Sequence, residues 1–175
     1  TIAFDKTGTL THGTFTVTAL YPADGVDATA LCDVCANAEQ FSDHPIAQSI
    51  LKYAQNSPDP HRVCDVREIP GEGICAKIDG ADAAVGNAAL MRRMGVELPC
   101  ISDAPLPPGA TLIHAMHDRR YLGTIAISDT VKEDAAAALR ALKASGVRRL
   151  IMLSGDRRKA AEQVGNALGL DEVIS

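Results

Sequence analysis

Seven consecutive residues carry the densest chemistry in this chain: Asp5-Lys6-Thr7-Gly8-Thr9-Leu10-Thr11. They follow Thr1-Ile2-Ala3-Phe4, which together with Asp5 reads as a buried strand. A carboxylate at the carboxyl end of a parallel strand stands where α/β sheets place their ligands. It can attack phosphorus and become an aspartyl phosphate. Gly8 lets the backbone run close to phosphate oxygens, flanking N–H groups can form an anion-binding concavity, and Lys6 and the threonine hydroxyls add donors. A second group, Leu153-Ser154-Gly155-Asp156, follows another apolar run, Arg149 to Leu153. The Ser154 hydroxyl can donate to a phosphate oxygen and Gly155 permits close approach. Alone this tripeptide would mean nothing. Its place after a strand, downstream of the first string, gives it weight.

These groups need a scaffold. The chain has 175 residues, 46% hydrophobic and 22% charged, which suits one ordinary domain or two small ones. Its formal net charge is −5 and it has no basic run, so nucleic acid and anionic membranes are poor partners. Trp is absent and aromatics are 3%, against stacking platforms for single strands. No apolar stretch is long enough for a membrane span, and no signal peptide is present. Five cysteines, an odd count, fit a reducing compartment better than a disulfide framework. The missing initiator Met and the strand-like end at 171–175 read as a segment cut from something longer.

Periodicity divides the chain. Lys6 to Gly13 reads as a loop and Thr14 to Leu20 as a half-buried strand; helices are expected over 26–40 and 46–54. Short strands follow at 63–69, 74–78 and 83–85, then a helix from 88 to 94 with Asn87 as its cap. Residues 97–109 read as an irregular loop, and 111–116 with 121–127 as a hairpin. Then the rhythm changes: helix 130–145, strand 149–153, helix 157–168 and a last strand fragment, with Asp129 a helix cap. Strand–helix alternation predicts a doubly wound α/β layer, built from both ends of the chain. An α+β insert with a mainly antiparallel sheet interrupts it. The expected boundaries are 1–13 and 128–175 for the α/β part, and 14–127 for the insert.

The string Asp5 to Thr11 is the phosphorylation signature of the P-type ATPases, and the whole chain resembles their cytosolic catalytic portion. The resemblance implies that the α/β part is a phosphorylation domain of haloacid-dehalogenase type, incomplete here, and that the insert is a nucleotide-binding domain. It implies ATP and Mg²⁺ as cofactors, with Asp5 as the nucleophile and the Asp5 carboxylate and Thr7 carbonyl as metal ligands. It assigns Lys6, Ser154, Gly155 and Asp156 to the same catalytic group. Related phosphatases carry an Asp at the Thr7 position as general acid/base. Thr cannot do that work, which favours a longer-lived phosphoenzyme. Ser128-Asp129-Thr130 resembles the family's re-entry into the phosphorylation domain. Where the family often has Asn, Arg157 follows Asp156 and begins a basic turn.

Within the insert, Glu39, Ser42-Asp43-His44-Pro45, Gly71-Glu72-Gly73 and Val85-Gly86-Asn87 are similar to the heavy-metal-transporting subgroup. That likeness implies that Glu39 accepts from the adenine amino group, and that His44 packs against or hydrogen-bonds the nucleoside. It implies that Gly71, Gly73 and Gly86 leave room for base and sugar. A chain poor in aromatics needs such glycine walls and a few orienting polar groups. Taken singly, a His-Pro pair before a helix is usually a cap, and a G-x-G a turn.

The implied protein is an ATP-driven heavy-metal exporter with this region on the cytosolic face of a membrane. The transported ion is bound elsewhere, and the remaining membrane and actuator domains of the same chain are its partners. The insert is expected to hinge near Gly13 and Ile127. A lysine and a Gly-Asp-Gly-x-Asn-Asp loop that complete the family's Mg²⁺ site would follow Ser175, so this stretch alone should bind nucleotide but accept little phosphate. The run from Ala38-Glu39-Gln40 to Ala47-Gln48 favours zinc, cadmium or lead. The alternatives are a copper(I) exporter, a soluble haloacid-dehalogenase-like phosphatase, and a non-catalytic nucleotide sensor. Cys32-Asp33-Val34-Cys35 is half a zinc site at most and reads as core, with Cys64, Cys75 and Cys100 scattered. His114 and His117 should lie on opposite strand faces. His12 and His61 receive no role.

Overall fold

The structure, a computed structural model, describes residues 1–99, 106–107, 109–155 and 158–175. It divides into two units: Thr1–Phe15, Pro107–Ala110 and Ser128–Ser175 form one, and Thr16–Leu106 with Thr111–Ile127 the other. Two long strands, β2 (Thr11–Pro22) and β7 (Arg120–Val131), carry the chain across both boundaries.

The first unit is α/β. Its parallel sheet has the order β1-β8-β9, with β1 Ile2–Asp5, β8 Leu150–Leu153 and β9 Glu172–Ile174. Helices α4 (Ala135–Ala144) and α5 (Arg158–Leu168) make the crossovers. Leu139, Leu150, Met152, Ala161, Val164 and Leu168 form its buried core. The expected helix from Thr130 begins later because β7 continues to Val131. The Lys132 N–H is then taken by the Leu10 carbonyl at 3.0 Å, which holds this stretch against the loop after β1 until Asp134. Asp129 therefore caps no helix.

The second unit is α+β. Its antiparallel strands are β3 (Val63–Ile69), β4 (Gly73–Ile78), β5 (Ala81–Gly86) and β6 (Thr111–His117), in the sheet order β2-β7-β6-β5-β4-β3. β6 and β7 turn at Asp118 and Arg119, whose φ of 49° and 61° are those of a tight hairpin. β3 closes the sheet, and its register slips between Cys64 and Arg67, where Asp65 has φ 54°. α1 (Ala28–Glu39) packs on β4, β5 and β6 and against α2 (Pro45–Tyr53). α3 (Ala88–Arg93) packs on β5 and β6 through Leu90 and Met91, which meet Ala84 and Met116. The fully buried neighbour Val85 points the opposite way, so helices cover both faces of the sheet.

The stripe Leu31, Val34, Cys35, Ala38 gives α1 its buried face at i, i+3, i+4 and i+7. Glu39 sits at the next position of that stripe, where an apolar residue is expected, and is only 7% exposed. Arg62 ties the unit together from outside: its guanidinium is bidentate to Asp33 on α1 and again to Asp79 in the β4–β5 turn.

Candidate functional site

In the first unit Asp5 is level with Leu153 across the parallel pair β1–β8. Ser154 and Gly155 therefore begin just past the same sheet edge as the Asp5 carboxylate. Asp5 is exposed and makes no side-chain hydrogen bond or ion pair with a described residue. A Cβ on Gly155 would meet nothing within 4 Å, so its backbone is open to a ligand. Asp156 and Arg157 lie outside the described residues.

The loop after Asp5 is short. Thr7 (φ −74°, ψ 123°) and Gly8 (φ 77°, ψ −12°) are the central pair of a type II turn, whose second position needs the left-handed backbone that glycine adopts freely. The Thr11 N–H closes the wider loop on the Lys6 carbonyl, five residues back, and Lys6 is buried. The strand then starts at Thr11 rather than Thr14, because Asp129 on β7 grips this end. Its carboxylate accepts from the Thr11 hydroxyl and, at 2.9 Å, from the Gly13 N–H. The Lys132 ammonium donates to the Gly8 carbonyl at 3.2 Å. Asp129 and Lys132 thus set the loop that follows Asp5. The sequence pointed to Asp129 as part of a re-entry segment and as a helix cap, and gave no signal for Lys132. For Mg²⁺, the Asp5 carboxylate and the Thr7 carbonyl are the hard oxygen donors it takes, so the residues fit.

In the second unit Glu39 at the end of α1, His44 at the start of α2, Gly71 and Gly73 at the β3–β4 turn and Gly86 at the end of β5 line one cavity of about 240 Å³. That is somewhat below the about 300 to 1,000 Å³ of most ligand pockets. It suits a base and part of a sugar. Its wall contains no Lys or Arg; Glu68 and Glu72 lie on it together with Asn87. His44 has two tasks: its ring lines the cavity, while its Nδ1 accepts from the Ile46 N–H at 3.2 Å and so caps α2, with Pro45 in the first turn. The glycines differ in what they do. A Cβ on Gly86 would stand 2.2 Å from the Glu72 carbonyl oxygen, and one on Gly73 2.2 Å from that of Val85. These two are small because paired strands and Leu90 already fill the space. Gly71, at φ 73°, has nothing within 4 Å of its Cβ position and leaves an open wall.

Asn87 fixes that wall. Its side-chain N–H donates to the Gly71 carbonyl at 2.8 Å, its backbone N–H to the Glu72 carbonyl, and its Oδ1 caps α3. Arg93 adds a bidentate pair to the Glu72 carboxylate, which holds that acid below its usual range. Only the cap was legible in the sequence. Burial, and then the nearby Glu68 carboxylate, push the Glu39 carboxyl up to about 7.

No described cysteine lines this cavity. Cys35 is fully buried in the α1 stripe and burial drives its thiol well up. Cys32 lines a separate cavity of about 170 Å³ with Asp33 and Tyr53. Cys100 is outside the described residues. His114 is buried on Thr124 and His117 meets the Ile78 carbonyl. No helix among the described residues is long and apolar enough to cross a membrane.

A family profile for haloacid dehalogenase-like hydrolases matches residues 1–175. The chain belongs to that family. As a haloacid dehalogenase-like chain it is 42% identical, over 98% of its length, to a cadmium, zinc and cobalt-transporting ATPase of Bacillus subtilis. It is 36% identical over its whole length to a copper-exporting P-type ATPase of Staphylococcus haemolyticus. Its fold matches the crystal structure of a zinc-transporting PIB-type ATPase in the E2.Pi state, with TM-score 0.77, 33% identity and 97% of this chain covered. The haloacid dehalogenase-like chain spans 24%, 22% and 28% of those three proteins respectively.

Proposed function

We propose that this chain is the ATP-binding and phosphoryl-accepting region of a heavy-metal-transporting P-type ATPase. The observation that carries the reading is the cavity. Five residues expected at a nucleoside site converge there, in a unit distinct from the one bearing Asp5. A simple phosphatase has no use for a base-binding pocket.

The second unit holds the adenine and ribose of ATP, with Glu39 and His44 orienting the base. The acidic wall keeps the phosphates outside. An Asp5 carboxylate oxygen bonds to the γ-phosphorus, the bond to the β-phosphate oxygen breaks, and ADP leaves with that electron pair. The Asp5–Thr11 loop, with Ser154 and Gly155, receives the phosphoryl oxygens. The Asp5 carboxylate and Thr7 carbonyl would hold Mg²⁺, which would supply charge neutralisation for a transfer that is mainly positioning and electrostatics. Thr7 offers no base for fast hydrolysis, so the aspartyl phosphate persists long enough to drive transport. The ion binds outside this chain, in the membrane part of the longer protein, with the present region on the cytosolic side.

Zinc, cadmium or lead is the favoured cargo, supported by the run around Glu39 and by the higher identity to the cadmium, zinc and cobalt transporter. The match of this whole chain to 22% of a copper exporter favours copper(I) as the second reading. Calorimetric titration of the chain with ADP and ATP tests the nucleotide site: both should bind, and Glu39→Ala should lose at least tenfold in affinity. An equal heat from the variant would remove the site. Hydrolysis of a small aryl phosphate by a chain that binds no nucleotide would turn the reading to a phosphatase.

A further inference from the structure

The nucleoside cavity has an acid where charge is hardest to keep. Glu39 is the last residue of α1, at the helix end that carries partial negative charge. It is 7% exposed, and its carboxyl has no hydrogen-bond partner among the described residues. The charged and titratable groups facing it come from four elements. α1 contributes the Cys35 thiol one turn away, driven well up by burial. The start of α2 contributes the His44 ring, whose Nδ1 is occupied by the helix cap. β3 contributes the Glu68 carboxylate. The β3–β4 turn contributes Glu72, whose charge is matched by Arg93 of α3. β6 adds Thr111 and Ile113, which carry no charge. No described cation stands on this wall to hold an anion at Glu39.

Resting on the nucleotide reading above, we propose that Glu39 meets the base as a neutral carboxylic acid, donating its O–H to adenine N1 and accepting from the adenine amino group, and that this two-point pairing selects adenine over guanine. An ionised carboxylate can only accept. It would face the N1 lone pair of adenine, and would instead pair with the two N–H groups on the same edge of guanine. The protonation state of one buried acid therefore decides which purine fits. Burial, the helix end and Glu68 all act to keep the proton on, in line with the carboxyl titrating at about 7.

The test is a pH series, from 5.5 to 8.5, of the affinity of the chain for adenosine, ADP and GDP, in wild type, Glu39→Gln and Glu68→Gln. The neutral form is the competent one, so the wild-type adenosine Kd should rise about tenfold from pH 6 to pH 8. The preference for ADP over GDP should narrow across the same range. Glutamine offers the same donor and acceptor without titrating. Glu39→Gln should thus bind adenosine as tightly at pH 8 as wild type does at pH 6, with a flat profile, and any slope left for ADP belongs to its phosphate or to His44. Glu68→Gln should move the wild-type midpoint to lower pH, a shift that lost packing would not produce. Adenosine binding that is flat in wild type, or as weak in Glu39→Gln as in Glu39→Ala, overturns the proposal while leaving the nucleotide site standing. No binding of adenosine or ADP at any pH overturns both.

Discussion

The two candidate sites are built in opposite ways. The one around Asp5 centres on a stretch of seven residues, shaped by one glycine turn and by the grip of Asp129 on Thr11 and Gly13, with Ser154 and Gly155 beside it. The candidate nucleoside cavity is assembled from the α1–α2 junction, the β3–β4 turn and the end of β5, which are well separated in sequence. A site centred on one stretch depends mainly on local turns, while a dispersed one depends on the whole sheet keeping its register. Damage to packing should therefore injure the second more than the first.

The largest expected effect tests that contrast directly. Gly86→Ala places a methyl group 2.2 Å from the Glu72 carbonyl oxygen of the β3–β4 turn. It should destabilise the second unit by about 3 kcal/mol, read as a lowered urea midpoint, and abolish nucleotide binding with it. If stability and binding both survive, the cavity does not depend on sheet register. Asp129→Ala, the counterpart in the first unit, removes two hydrogen bonds to a carboxylate. A loss of about 2 kcal/mol is expected, with faster hydrogen exchange at the Gly13 amide and unchanged nucleotide affinity. Weakened nucleotide binding would break the division of labour. The smallest effect separates the two tasks of one residue. His44→Asn retains a good helix cap, so stability should move by less than about 0.5 kcal/mol, while the ring is gone and ADP should bind more weakly. Equal affinity would reduce His44 to a cap.

Much of this was legible beforehand, for reasons that differ by region. The β1 run, the Asn87-capped helix and the hairpin of 111–127 are local, and local signals placed them. The helix expected from Thr130 failed because a tertiary hydrogen bond, Lys132 to Leu10, keeps that stretch extended against its propensity. Gly73 and Gly86 were read through the ligand, but their Cβ positions are filled by protein; cross-strand register is invisible in one sequence. Glu39 was named through a resemblance. Its burial could have been seen from the residues alone, as the polar member of the apolar stripe on α1. The Glu72–Arg93 pair, with partners 21 residues apart, had no signal.

β3 carries one further consequence. It is the outermost ladder of the six-stranded sheet, and Val66 and Cys64 stand exposed along it. A straight rim of that kind would recruit a strand from another molecule. The left-handed kink at Asp65, followed by the charged pair Arg67 and Glu68, spoils the repeat that such an intruder would have to match. The same irregularity that looks like a defect in the ladder makes this rim a poor template for a second copy.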